Sequence, residues 1–322
     1  MKRLLVLAAA LWLPVVVPAS GAGEEAPAPA SPAAAERTGF HARGDISVWY
    51  GRGETSFQSP NLDPFISSDL VYPFSGYLAE ARGGVSLFFP IGSLTARAGL
   101  RGRLAKEIDL TGTATDSDWS FGERFGYSEH DCRTDLLIWD LDAVFAIFPF
   151  DRSDSSFLRS IEAGLNVGYG EEKYKFTVRD GWGDYYGERY YFTGEVSTYD
   201  ADFTGLRTGI FLRAEPLPRF SLDLEAVFIP GLRAEGDGNW LLRDYRFHQK
   251  AEGSGAALSG RVAYELSGWC RVFAALRRVV LTADRNGRES GEEEGESYSD
   301  EDIVGWIKSR YTGYELGVSL IY

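Results

Sequence analysis

The stretch Leu94–Ile108 reads LTARAGLRGRLAKEI. Leu94, Ala96, Ala98, Leu100 and Leu104 share one parity, and Thr95, Arg97, Arg101, Arg103 and Glu107 share the other. A period of two marks a β-strand, whose successive side chains point to opposite faces. Here one face is small and apolar and the other carries arginines. A soluble sandwich also alternates, so one such strand decides little. The pattern recurs, however: Phe220, Leu222, Leu224, Ala226 and Phe228 alternate with Ser221, Asp223 and Glu225, and Leu258, Val262, Tyr264 and Leu266 alternate with Ser259, Arg261 and Glu265. A water-soluble core cannot hold that many ionised groups without a heavy desolvation cost. Past the N-terminal leader the chain offers no run of about 18 apolar residues that could form a spanning helix. A closed sheet is then the remaining way to satisfy backbone polar groups inside a bilayer. The alternation predicts an all-β chain folded as a ten-stranded antiparallel transmembrane β-barrel, with apolar side chains toward lipid and charges toward the lumen.

The strands are expected near 44–58, 76–89, 94–109, 135–148, 157–179, 195–214, 219–235, 255–267, 270–284 and 309–322. Connections at Pro90–Ser93, Pro149–Ser156, Glu215–Pro218 and Gly268–Trp269 are short, whereas the other five run to roughly 14 to 25 residues, the asymmetry of periplasmic turns and outer loops. An even strand number puts both termini in the periplasm. The chain ends in YELGVSLIY, with Tyr314, Leu316, Val318, Leu320 and Tyr322 on one face. Such a last strand looks like the sorting signal of outer-membrane barrels, and localisation in the cell outer membrane is expected. The alternative is an ordinary edge strand.

The opening MKRLLVLAAALWLPVVVPASGAGEE has a basic start, an apolar stretch and small residues near Ala22. It reads as a secretory signal peptide over residues 1–22, its apolar stretch being shorter than the ~20 residues of a spanning anchor. Residues 23–43 are an Ala/Pro-rich lead-in expected to be disordered in the periplasm, and 44–322 form the barrel. A net charge of −14 argues against nucleic acid as a partner, since that needs a basic face. The 14% aromatic content suits interfacial girdles. Cys132 and Cys270 fall at opposite ends of the strand map, too far apart for a disulfide, and are expected as free thiols. His41, His130 and His248 lie in no metal-ligand spacing, so neither a metal nor another cofactor is expected.

A barrel of this size lies near the eight-stranded kind that side chains fill, well short of the porins. Arg97, Arg101, Arg103, Asp140, Asp142, Asp223, Glu225, Arg261 and Arg277 should therefore form a paired network that plugs the lumen. The fifth outer loop, Asp284–Asp302, contains GEEEGESYSDED, which reads as a solvated acidic loop, with cation binding as the alternative.

The segment TGTATDSDW, Thr111–Trp119, places Asp116 and Asp118 two apart after the third strand. Carboxylates pointing one way can share a proton or orient a water, although Asp-Ser-Asp is also common in polar loops. Here the chain resembles the omptin family, outer-membrane endopeptidases whose Asp-x-Asp-Trp motif matches Asp116, Asp118 and Trp119. The likeness extends through GYGEEKYKFTV (Gly168–Val178) and RDYRF (Arg243–Phe247). It implies that Asp116 and Asp118 are half of an active site, whose other half is an Asp-x-His pair just before the arginine matched by Arg243. Counting back gives Gly238 and Trp240, neither of which can act as a base; sliding by one brings Asp237 to the first position but supplies no histidine. His248, with Asp244 nearby, is the candidate for a relocated dyad, and His130 beside Asp131 is a weaker one. Glu54 resembles the family's acid for a basic substrate side chain. Tyr169, Glu171 and Lys173 match a lipopolysaccharide-binding set, which implies lipid A contact, although lysine lacks bidentate geometry and Asp202 stands where the family has another arginine.

Loss of a general base typically costs about 10²- to 10⁴-fold in rate. The sequence thus favours a non-proteolytic, omptin-like surface barrel with a structural or binding role through acidic extracellular loops. Its partners would be the outer membrane with its lipopolysaccharide and an extracellular protein or peptide ligand. The alternatives are an aspartate-based endopeptidase with a rearranged site and a narrow pore.

Overall fold

A computed structural model describes residues 39–60, 66–91, 94–151, 158–242, 244–293, 295–301 and 304–322. The expected signal peptide and most of the expected lead-in lie outside them, as do Arg243 and parts of the acidic fifth loop. The strands are β1 (Gly39–Pro60), β2 (Ile66–Ile91), β3 (Leu94–Ser120), β4 (Glu123–Asp151), β5 (Ser160–Tyr185), β6 (Glu188–Leu217), β7 (Phe220–Trp240), β8 (Tyr245–Ser267), β9 (Cys270–Glu293), β10 (Glu296–Glu301) and β11 (Trp306–Ile321). Neighbours run antiparallel, β11 pairs with both β9 and β1, and β8 pairs with β9, so ten strands close into a ring. The short β10 pairs with β9 above the ring. Ala42 and Tyr322 exchange backbone hydrogen bonds at 3.0 and 2.9 Å, which places the start of β1 and the end of β11 at one rim, here the lower one.

The strands are longer than the alternation suggested. Much of the expected outer loops is strand: β3 runs to Ser120 and β4 starts at Glu123, and β5 and β6 meet across a turn at Tyr186 and Gly187. The reason is a reversal of polarity partway up the wall. In the lower half of β4, Leu141 and Phe145 face outward and Asp140 and Asp142 inward; in the upper half Arg133 and Asp135 face outward, and Cys132, Leu136 and Ile138 inward. An exposed apolar band of this extent is foreign to a soluble surface and belongs against lipid. It is bordered below by Phe40, Trp269 and Tyr322 and above by a row of aromatics including Tyr50, Tyr77, Trp139, Tyr169 and Tyr314. Above that row the barrel is built as in water, polar outside and apolar inside.

The lower interior is the expected ionic network. Arg103 meets Asp140 at 2.6 Å, Arg101 meets Asp142 at 2.8 Å and Glu225 at 2.6 Å, and Arg213 meets Asp223 at 2.6 Å. Arg261 reaches Asp45 at 2.5 Å and Arg277 reaches Glu80 at 3.5 Å, while Arg97 pairs with Glu162. Buried carboxylates are tolerable here because each finds a charged, hydrogen-bonding partner. The upper interior is built mainly of aromatic and apolar side chains, in place of a uniformly charged lumen. Phe57, Tyr72, Phe74, Tyr174, Phe176, Tyr199, Phe203 and Phe247 are buried in a single cluster. Ring centroids of Phe57 and Tyr199 lie 4.4 Å apart, and those of Tyr72 and Phe176 lie 4.6 Å apart. Cys132 sits in this upper wall and Cys270 at the lower end, both as free thiols.

Candidate active-site cleft

Two bulges decide which side chains enter the cleft above the aromatic floor. Along β3, Arg103 and Ala105 point inward; between Lys106 and Thr111 the register with β4 slips, and Leu110 and Ala114 take the inward side. An extra residue in a strand reverses the parity of everything after it. Asp116 and Asp118 therefore follow Ala114 onto the inner face. Asp116 lies opposite Leu70 and Ser128, and Asp118 opposite Ser68 and Gly126. The Ser68 hydroxyl donates to Asp118 Oδ1 at 2.6 Å. A Cβ on Gly126 would stand 2.8 Å from Asp118 Oδ2, so the bare glycine makes room for the carboxylate.

The second bulge lies on β7 between Ile229 and Leu232, at Pro230 and Gly231. Val227 and Ile229 point inward before it and Leu232 and Ala234 after it. This slip turns Gly238 and Trp240 in and Asp237 out. Proline and glycine are the residues that a bulge accommodates readily. Phe247 of β8 occupies the space beside Gly238: a Cβ there would lie 2.0 Å from its Cζ. Trp240 packs on Phe247 and Tyr245, with centroids 5.8 and 5.4 Å apart.

His248 does not join the aspartates. It stands on the outer face, where its Nδ1 lies 2.7 Å from Oδ1 of Asp237, its cross-strand partner. Asp244, the expected second member of that dyad, is exposed in the β7–β8 turn at φ 47°. Glu54 also lies outside, paired with Arg310 at 2.7 Å, and does not line the cleft. Of the histidines high on the barrel, His130 enters the inner wall: it lies opposite Ala114, one inward position below the Asp116–Ser128 pair. Its Nδ1 is 3.0 Å from the Asp180 carbonyl and its ring packs on Phe192. With Nδ1–H donating to that carbonyl, Nε2 keeps its lone pair. Burial pushes the imidazole below its ordinary pKa, against the weaker pulls of the Asp180 carbonyl and Asp131. Its shared parity with Cys132, Leu136 and Asp140 would have placed it inside, had β4 been extended upward from residue 135.

No family model matches the chain, and no curated protein matches it by sequence. Among solved structures, the outer membrane protease OmpT from Escherichia coli superimposes with a TM-score of 0.70 over 90% of this chain and 100% of that one, at 16% identity. The chain has the omptin fold. Weaker matches are the toluene transporter TodX of Pseudomonas putida (TM-score 0.33, 9% identity, 88% and 89% coverage) and the translocator domain of the autotransporter NalP of Neisseria meningitidis (0.31, 9%, 88% and 88%).

On this omptin-like barrel, Tyr169, Glu171 and Lys173 share the outer face of β5 at and just above the upper aromatic row. The Trp139 indole donates to Glu171 at 2.6 Å, and Lys173 sits 3.0 Å from Glu171 and 3.3 Å from Asp202. One ammonium is thus shared between two carboxylates. An incoming phosphate would have to compete with both for it.

Proposed function

We propose that this chain is a non-proteolytic outer-membrane barrel, omptin-like in fold, with a structural and binding role at the cell surface. Both termini lie in the periplasm, the upper end is extracellular, and Asp116 and Asp118 are a remnant of a catalytic pair. The observation that carries this reading is the wall of β7. Where the omptin resemblance calls for a second acid and a histidine, this wall presents Gly238, already filled by Phe247, and Trp240, while His248 faces outward. The histidine that the omptin resemblance assigns as general base for the attacking water is thus missing from this wall. The outer leaflet of lipopolysaccharide would pack against the Trp139 and Tyr169 row. Lys173 would contribute little to phosphate capture because of its two acidic neighbours.

An endopeptidase is the second reading, and His130 is the observation that favours it: a neutral inward imidazole with a free Nε2 has the form of a general base. Against it, the ring is already engaged by the Asp180 carbonyl of β5 and by Phe192 of β6. The deciding experiment refolds the mature barrel with lipopolysaccharide and assays a mixed peptide library. Asp116→Ala/Asp118→Ala and His130→Gln serve as controls. No cleavage is expected from the folded barrel. Cleavage abolished by either substitution set would establish the protease and overturn the proposal.

A further inference from the structure

The β9–β10 hairpin that rises above the ring is fixed in place. Glu289, only 4% exposed, accepts hydrogen bonds from Tyr298 at 2.7 Å, Tyr245 at 3.0 Å and the Gln249 amide at 2.7 Å. The rings of Tyr245 and Tyr298 stack with centroids 6.1 Å apart and planes 9° apart. β10 is therefore held as a strand by a buried carboxylate and a tyrosine pair.

Its second edge is open. β10 pairs with β9 alone among the described strands. β11 accompanies β9 only up to Ile307↔Ala283, and β1 accompanies β11 only up to Gln58↔Trp306. Glu293 pairs with Glu296 across a tight turn in which Gly295 has φ 88°. A turn of that length makes its flanking residues a hydrogen-bonded pair. Bonding then alternates along β10, which directs the N–H and C=O groups of Ser297, Ser299 and Glu301 to the open side. Natural edges are usually blunted by shortness, charge, proline or a bulge; β10, ESYSDE, has no proline, pairs with β9 in unbroken register, and carries only acidic charge, which repels like strands and not cationic ones. The stretch Gly291–Asp302, GEEEGESYSDED, carries acids and no lysine or arginine. A second copy of this edge would be repelled by its own charge, whereas a cationic strand would find both backbone partners and counter-charges.

We propose that the open edge of β10 captures a basic, extended peptide segment of a partner protein by strand addition. This rests on the surface-binding reading above and names its partner class. The test is fluorescence anisotropy on the refolded full barrel with a short peptide of alternating lysine and valine. An N-methylated copy keeps the charge but cannot pair through its backbone. Binding of the first peptide is expected, weakened at least about tenfold by N-methylation and also by Ser299→Pro, which removes an edge N–H without touching the bonds to β9. Equal binding of the N-methylated copy would mean charge attraction alone and overturn the proposal, and so would no binding. The N-methylation arm leaves the protein unaltered, so a misfolded Ser299→Pro variant cannot obscure the result. The same preparation in the cleavage assay separates the two ideas. Absent binding without cleavage removes this inference alone, whereas Asp116/Asp118-dependent cleavage removes the reading beneath it.

Discussion

Tyr199 tests whether the cleft is floored by packed rings or by water. The side chain is 1% exposed, its ring meets those of Phe57, Tyr72 and Phe247, and its hydroxyl donates to Gln249 Oε1 at 3.1 Å. Tyr199→Phe keeps the ring and strands one acceptor on a fully buried amide, a cost of about 1–3 kcal/mol. Tyr199→Ala also removes the ring from a close-packed cluster, and large aromatic deletions of this kind cost about 3–5 kcal/mol. The two should therefore differ by roughly 2 kcal/mol. In urea unfolding of the lipid-refolded barrel, with a slope of a few kcal/mol per molar, the alanine variant should melt roughly 1–2 M earlier than the wild type. If both variants lose the same small amount, the ring contributes nothing, the upper interior is wet, and the argument for a closed floor fails.

Three further outcomes follow from the same geometry. Burial lowers the pKa of His130, so the unfolded chain takes up a proton near pH ~6.5 that the folded barrel refuses. Its contribution to stability is full above that value and is lost as pH falls below it toward the folded pKa; His130→Gln should flatten the unfolding midpoint between pH 7.5 and 5.5, and an unchanged slope would refute the assignment. Asp200 lies outside the membrane band, directly opposite Asp237. Burial first, then Asp202, Asp237 and Asp135, raise its pKa against Lys175. Asp200→Asn should stabilise the barrel at neutral pH by ~0.2–1 kcal/mol, a gain that fades as pH falls through the raised folded pKa, and no gain at pH 7 would contradict the charge argument. Finally, the ionic network and the ring cluster together fill the bore, so the protein in planar bilayers should show no sustained porin-type conductance; stable open-channel steps would show a continuous water path.

The strand chemistry within the lipid band was open to reading from sequence because both sides of the wall there have uniform demands. Lipid requires apolar side chains outside, and the narrow bore requires paired charges inside. That is why Arg97, Arg101, Arg103, Asp223 and Arg261 were assigned inward from parity alone, and the structure pairs each of them. The upper strands were read as loops because the sign of the pattern reverses there: Tyr174 and Phe176 turn inward while Lys173 and Lys175 turn outward, as in any soluble barrel.

The sequence by itself determined the alternation, the closed ten-stranded ring, the separation of the two cysteines and the absence of a histidine at position 240. Only the tertiary structure decided which residues face the cleft. A bulge shifts parity by one residue, and composition does not show where the extra residue is absorbed. The slip before Thr111 brings Asp116 and Asp118 inward, and the slip at Pro230 and Gly231 turns Asp237 out and Gly238 in. Pairing then binds His248 to Asp237 on the outer wall and sets His130 on the inner wall below the aspartates.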